Sequence, residues 1–455
     1  MQQLDHSAGD VRAPERRSDS AGDPVVRNGY LLAVTSLLTA GLGVAYWAVA
    51  ARMSSPEEVG RSAATITALT LVANVAGLNL TGSFGYLLPR LGRSSRRFVA
   101  GSYLLTAALA TVLGLAVLGV VAAIGTSPLD YLVGSPLAAV LFVVAAPVFV
   151  LFAIQDGVLI GLRRADWVLG ENLTFAVGKL AALVVLLALG VAHGIAYSWI
   201  GATAVLVPVL TALIFTRLLR ADRAEPDGER LSPRDVRRFV GLQHAGALVG
   251  QLMMNLLPLV VLGLLGSTAN GLFYVPWTIA ITVDLISHSM GSSLTVEGAS
   301  DPAQLGRHVR SISRKLAVLL GAGGLVGLVV APEVLRIYGA AYAGNGTLLL
   351  RLLIVGALFR AVVVVAQSAA RARGRTALNL VTESATCVLV LGVSAVLLPV
   401  LGIEAAGWAW LGGNALVAAA SLPSLVAVTR SSGGAGAEVV AAAATATPPA
   451  AERGL

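Results

Sequence analysis

Apolar residues run through this chain in long stretches, separated by short polar breaks rich in arginine. The first stretch, Gly29 to Ala51, ends at Arg52-Met-Ser-Ser-Pro-Glu-Glu-Val-Gly60, and the second, Ser62 to Leu88, ends at Pro89-Arg90-Leu-Gly-Arg93-Ser-Ser-Arg96-Arg97. About 20 apolar residues in a helix cross the ~30 Å hydrocarbon core of a bilayer. By that measure the sequence predicts twelve spans: 29–51, 62–88, 98–124, 137–161, 168–191, 196–216, 239–265, 272–294, 316–331, 347–370, 377–399 and 403–428. The pattern is that of an all-α polytopic membrane protein.

The opening order of helix, turn and helix returns half a chain later. Gly241 to Leu265, the break Gly266-Ser-Thr-Ala-Asn-Gly271 and Leu272 to Leu294 follow at an offset of 211 to 212 residues, so that Gly29 matches Gly241 and Gly60 matches Gly271. At offsets of 204 to 212 residues and in the same order, Pro128 to Gly134 corresponds to Pro332 to Gly339, Glu171 to Glu383, and Gly194-Ile195 with Trp199 to Gly402-Ile403 with Trp408. Six spans in each half start both halves on the same side, which relates them by a pseudo-two-fold axis along the membrane normal. The predicted organisation is a disordered tail (1–28), a six-helix lobe (29–216), an amphipathic linker (217–238), a second six-helix lobe (239–430) and a disordered tail (431–455). Ser232-Pro233-Arg-Asp235 in the linker reads as an N-cap, a first-turn proline and an acid at a helix start.

Charge sets the orientation. With the N-terminus inside, 26 of the 32 Lys and Arg fall in inner segments, Arg52, Arg61, Arg336 and Arg351 fall outside, and Lys179 and Arg360 fall within spans. That asymmetry follows the positive-inside rule and predicts both termini in the cytoplasm, with the protein in the cytoplasmic (inner) membrane. It also accounts for the net charge of +8 without nucleic acid as a partner. Only 12% of residues are charged and 56% are hydrophobic, which excludes a soluble multidomain reading. A single cysteine, Cys387, excludes a disulfide framework and a cysteine metal site, and no cofactor is expected.

Three segments carry a likeness to a known family: Ala50 to Gly60 after the first span, Ala331-Pro-Glu-Val-Leu-Arg-Ile-Tyr-Gly339-Ala-Ala-Tyr342 before the tenth, and Leu401-Gly-Ile-Glu-Ala-Ala-Gly407 between the last two. They resemble the polysaccharide-exporter branch, the O-antigen and teichoic-acid flippases, of the multidrug/oligosaccharidyl-lipid/polysaccharide flippase superfamily. The resemblance implies a two-lobed bundle that moves a polyprenyl-pyrophosphate-linked oligosaccharide from the inner to the outer leaflet by alternating access. Its implied partners are that lipid, a coupling proton or sodium ion, the membrane lipids and polysaccharide-assembly proteins.

Charged groups within spans point to the chemistry, because they are costly in hydrocarbon and face cavities or pathways. Lys179 and Arg360, one in each half, suit a pyrophosphate if both face a shared cavity, since guanidinium and ammonium groups bind phosphate. The bland alternative pairs Lys179 with Glu171. Asp284 and His288 stand four apart on one helix face and are candidates for ion coupling, as is Asp156. Asp156, Glu171 and Glu383 equally suit helix capping or the balancing of Arg163, Arg164, Arg371 and Arg373. Asn74, Asn79, Gln251 and Asn255 are amides able to bind sugar hydroxyls or to bridge helices.

Two other function classes compete. A drug or cation antiporter of the same superfamily shares the two-lobe plan and would be favoured by acids deep in the N-terminal lobe; the middles of spans one and two carry none. A membrane glycosyltransferase or polymerase needs acids or metal ligands on a water-facing loop, yet the outer loops are short and carry no nucleotide-binding glycine motif. A transporter is the expectation, and not an enzyme.

Overall fold

The computed structural model describes residues 24–91, 94–125, 129–219 and 233–445. The expected tail before Pro24 and the linker residues 220–232 lie outside them. The described residues form helices and connecting turns: α1 (Pro24–Met53), α2 (Pro56–Ala76), α3 (Leu80–Leu91), α4 (Ser95–Ile124), α5 (Tyr131–Gly134), α6 (Pro136–Gly161), α7 (Ala165–Ala188) and α8 (Gly194–Leu213) in the first half. The second half holds α9 (233–265), α10 (267–300), α11 (Leu305–Arg336), α12 (Ala340–Ala372), α13 (Thr376–Leu401) and α14 (Glu404–Thr445). Ten helical stretches among these residues are long and apolar enough to cross a membrane, one of them, Leu248–Ser300, being two helices in series. With α1 the twelve expected spans are accounted for, and the chain is an all-α, two-lobed bundle.

Local chemistry explains the helix starts. Ser55 accepts a hydrogen bond from the Glu58 amide at 3.2 Å, followed by Pro56 at the first helical position and Glu57 and Glu58 in the first turn. Ser135 and Pro136 repeat the device at α6. A helix begins at Pro233 and continues without interruption into span seven, so the surface helix and the span are one element. At the other end α14 continues to Thr445, past residue 430 where a tail is expected; this stretch is alanine-rich, and alanine is the best helix former.

Two expected elements differ from the sequence reading. The run 62–88 is broken at Gly77-Leu78-Asn79, where Leu78 and Asn79 both adopt φ of 50°. Left-handed conformations at residues other than glycine cost about 1–3 kcal/mol each and persist where surrounding packing enforces them, often at functional sites. The loop expected at 266–271 reduces to Gly266 alone, with φ 84° and ψ −180°. Only glycine adopts that backbone readily, so one residue ends α9 and starts α10.

The lobes meet through α2 and α10, the second long helix of each half. Gly60 and Gly271, matched by the repeat, lie against each other: a Cβ on Gly60 would overlap the Ser267 carbonyl, and one on Gly271 would overlap the Pro56 carbonyl. Asn270 donates to the Gly60 carbonyl at 2.9 Å. Beside them Arg52 reaches across to donate to the carbonyls of Ile337 (2.8 Å) and Arg336 (2.7 Å). Tyr46, Trp47, Val275, Leu335, Tyr338 and Tyr342 form one apolar cluster contributed by both halves. This end of the bundle is sealed. On the outside, Leu104, Val205, Val329, Val396 and Val400 are at least 70% exposed, as expected of side chains that face lipid.

Enlarging Gly60 to valine is expected to drive α2 from α10 and open the sealed end. Spin labels placed at positions 53 and 337 in a Cys387→Ser background should report a longer distance in the Gly60→Val protein; an unchanged distribution would show that the glycine contact does not hold the seal.

Candidate functional site

A cavity of about 960 Å³ lies between the lobes. Thr67, Thr70 and Asn79 line it from the first half, and Gln251, Asn255, Tyr274, Trp277, Asp284, His288, Arg360, Arg371 and Glu383 from the second. The broken helix supplies Asn79, and the α9 backbone comes close beside Glu383, since a Cβ on Gly250 would lie 3.8 Å from its carboxylate.

An ion cluster forms the deepest wall. Arg360, 1% exposed at the middle of α12, donates through Nη2 to Glu383 Oε1 at 2.9 Å and through Nη1 to Oε2 at 3.3 Å. Its Nε lies 3.8 Å from Asp284 Oδ1, and His288 Nε2 is 3.5 Å from Nη2 and 3.3 Å from Asp284 Oδ2. One guanidinium thus stands between two buried carboxylates on separate helices, α10 and α13. The fork geometry of arginine favours the bidentate contact with Glu383, and Asp284 Oδ1 and Arg360 Nε are left without hydrogen bonds. Nearer the turn at Gly374, Arg371 donates to Asn379 Oδ1 and Ser368 Oγ, both at 2.8 Å. Asn74 donates to Gln251 Oε1 across the lobes at 3.4 Å, and Asn255 donates to the Gln251 carbonyl at 2.8 Å.

The site residues named from sequence separate into two groups. Asn79, Gln251, Asn255, Asp284, His288 and Arg360 line the cavity, and Asn74 stands beside it through Gln251. Lys179 and Asp156 do not line it. The Lys179 ammonium sits 3.6 Å from the centroid of the Trp199 ring, 4.7 Å from Phe175 and 5.1 Å from Tyr46. The cage takes the place of the alternative partner, Glu171, whose carboxylate makes no hydrogen bond, and a desolvated cation over such rings gains about 2 kcal/mol. The picture of two cations facing one cavity is therefore corrected: Lys179 is caged inside the first lobe, and Arg360 is balanced by acids. Asp156 accepts from Asn172 at 3.2 and 3.4 Å.

Glu383 is the cavity residue that the sequence reading undervalued, as a cap or a balance for Arg371 and Arg373. The signal lay in Arg360 and Glu383 themselves, two opposite charges on consecutive spans that flank one short turn. Antiparallel neighbours place such residues side by side.

No protein-family model matches the sequence, and no curated protein sequence does so either. Solved structures match it across most of its length. An inward-facing multidrug resistance MATE family transporter of the MOP superfamily shares 15% identity, with 86% of this chain and 95% of that one covered and a TM-score of 0.65. An outward-facing MATE family transporter shares 17% identity, with 90% and 98% covered and a TM-score of 0.56. A MOP superfamily transporter from Pyrococcus furiosus, described as having a binding pocket of reverse polarity that suggests a different function, shares 13% identity, with 89% and 96% covered and a TM-score of 0.62. The chain has the two-lobed fold of these MOP superfamily transporters.

Removing one member of a buried ion pair costs about 3–5 kcal/mol because the other charge is left unpaired. Arg360→Ala is expected to lose about that much stability, and Arg360→Met with Glu383→Gln and Asp284→Asn to recover most of it. Thermal unfolding of the detergent-solubilised variants measures both. Equal melting temperatures for wild type and Arg360→Ala would mean that the cluster does not hold the lobe together.

Proposed function

We propose that the protein is a membrane transporter that works by alternating access and exchanges protons for amphipathic organic cations. The observation that carries this reading is the buried pair of carboxylates, Asp284 and Glu383, sharing the single guanidinium of Arg360 on the wall of the inter-lobe cavity. Within the cluster itself two acids and one guanidinium leave one negative charge, and Arg371, also on the cavity wall, is held by Asn379 and Ser368 and not by an acid. The rest of the wall is apolar and aromatic, with Met254, Pro258, Tyr274, Trp277 and Ile281, and aromatic faces favour cations. A proton arriving at Glu383 would release Arg360 toward Asp284, removing the negative charge and with it the bound cation. A group that cannot be both protonated and cation-bound couples the two movements. The likeness in fold to MATE family transporters supports this reading.

The arginine asymmetry of the loops supports cytoplasmic termini. On that orientation the seal around Gly60 and Gly271 lies on the outer side and the protein faces inward. The closer fit to the inward-facing MATE structure than to the outward-facing one agrees with it.

A second reading, movement of a lipid-linked oligosaccharide, is favoured by the amides Asn79, Gln251 and Asn255 and by Arg371 in the same cavity, together with the segments that resemble polysaccharide exporters. Amides and arginine match sugar hydroxyls and phosphate. Polysaccharide-assembly proteins would be partners under this reading.

One assay separates the two. In proteoliposomes carrying a pH gradient, ethidium accumulation is expected for the wild type and its loss for Glu383→Gln. A fluorescent polyprenyl-pyrophosphate oligosaccharide, followed by its protection from external glycosidase, is expected to stay in its leaflet. Transfer of the lipid-linked sugar without ethidium movement would replace the antiport reading with the flippase reading.

A further inference from the structure

A groove of about 560 Å³ is enclosed by α11, α12 and α14, and it shares no lining residue with the inter-lobe cavity. On α12, Arg360 faces that cavity while Leu358, Val362 and Val365 face the groove. The remaining floor is apolar, from Leu316 and Leu320 on α11 and Leu425 on α14. Ser313, Ala317 and Gly321, four apart on one face of α11, are small enough to leave it hollow. It opens outward, since Leu422 and Val426 on its rim are 49% and 42% exposed. In a bilayer that opening faces lipid tails.

One end of the groove is cationic. Arg310 donates to the Thr429 carbonyl at 2.5 Å, a contact that places the guanidinium at the groove mouth and uses one of its five N–H donors. Arg307 and Arg314 stand three and four residues away on the same side of α11, and both are exposed. Residues 305–316 contain no acid, and the acids just before them are engaged: Glu297 with His308 (3.2 Å) and Ser293 (2.9 Å), Asp301 with the Gln304 amide (3.2 Å). Nor does α14 carry an acid between Glu404 and Glu438. From Arg310 to Gly321 the helix rises about 16 Å, which is close to half of the ~30 Å hydrocarbon core. The groove is one leaflet deep, charged at the interface and apolar below it.

We propose that this groove binds an anionic glycerophospholipid, its phosphate on Arg310 and one acyl chain laid along Ser313, Ala317 and Gly321. The guanidinium fork matches phosphate oxygens, and the Ser313 hydroxyl, one turn deeper, is placed for the ester oxygens. Arg307 and Arg314 add the charge that favours an anionic over a zwitterionic headgroup. Small residues in a row also suit contact with a second copy of the chain. A two-fold contact of that kind about the membrane normal would set three arginines against three others, so the lipid is the better occupant. The inference goes beyond the proposed function and holds whichever ligand the inter-lobe cavity carries, because α12 stands between the two. On the orientation argued from the loop arginines, the lipid belongs to the cytoplasmic leaflet.

Native mass spectrometry of the detergent-solubilised protein, titrated with phosphatidylglycerol or phosphatidylcholine, counts bound lipids without reading transport. The samples are wild type, Arg310→Gln, Ala317→Phe and, as a control at the opposite end of α11, Arg336→Gln. One tightly held phosphatidylglycerol is expected on wild type and on Arg336→Gln. Binding to Arg310→Gln should be about tenfold weaker, the loss that one charge-assisted hydrogen bond accounts for. A phosphatidylglycerol carrying a photoreactive acyl chain should label residues 313–321 in wild type and not in Ala317→Phe. Arg310→Gln changes an exposed side chain, so its result stands even if Ala317→Phe does not fold. Equal phosphatidylglycerol binding by wild type and Arg310→Gln, equal binding of the two lipids, or a label outside the groove would overturn the proposal. So would a wild-type dimer that Ala317→Phe converts to a monomer, which would assign the groove to a second copy.

Discussion

The second lobe depends on one arginine held between two carboxylates where water is scarce. Arg360 sits at the centre of α12, the helix against which α10, α11, α13 and α14 all pack. Small residues make this packing close: a Cβ on Gly356 would overlap the Trp410 ring, and one on Gly407 would press on Leu352. Charges at such a depth cannot be solvated, so the guanidinium and its acids must satisfy each other. That requirement ties α10, α12 and α13 together at the wall of the cavity. The guanidinium stands between two acids and makes full hydrogen bonds to only one of them, Glu383.

The two halves share a backbone plan but have diverged in chemistry. Glu383 has Arg360; Glu171, its match, has Val148 at the corresponding position. Lys179 has no cation at its own match, Leu391, and has an aromatic cage where an acid would ordinarily stand. The second lobe therefore meets its buried charge with oppositely charged side chains, and the first meets Lys179 with aromatic rings.

Backbone contacts close the sealed end. The glycines at 60 and 271 let the α2 and α10 backbones touch, and the Arg52 contacts across the seal are to backbone carbonyls of the α11 terminus and its following turn. Arg52 is exposed, so these contacts enclose no buried charge. The break at Leu78-Asn79 divides the second span at the cavity, and Gly266 joins α9 to α10 through one residue. Short breaks in long helices permit one segment to tilt while its neighbours keep their backbone hydrogen bonds.

Much of the architecture was legible in the order of residues. Long apolar runs cannot leave backbone polar groups unsatisfied in lipid, so they must be helices, and twelve of them in two matched sets follow from hydropathy and the 212-residue offset alone. Gly60 and Gly271 were visible as partners in a repeat, and Asp284 with His288 as neighbours on one face. Tertiary structure decided what each charge meets. Whether Lys179 faces a cavity or an aromatic cage depends on how α1, α7 and α8 pack, and three rings from three helices carry no common sequence signal. The break at Leu78 and Asn79 was hidden for a similar reason: asparagine adopts the left-handed backbone more readily than most residues, but at Leu78 that conformation is imposed by surrounding packing, not by local preference. Periodicity and hydropathy report how a residue prefers its solvent, whereas pairing across helices is set by distances that only the folded bundle creates.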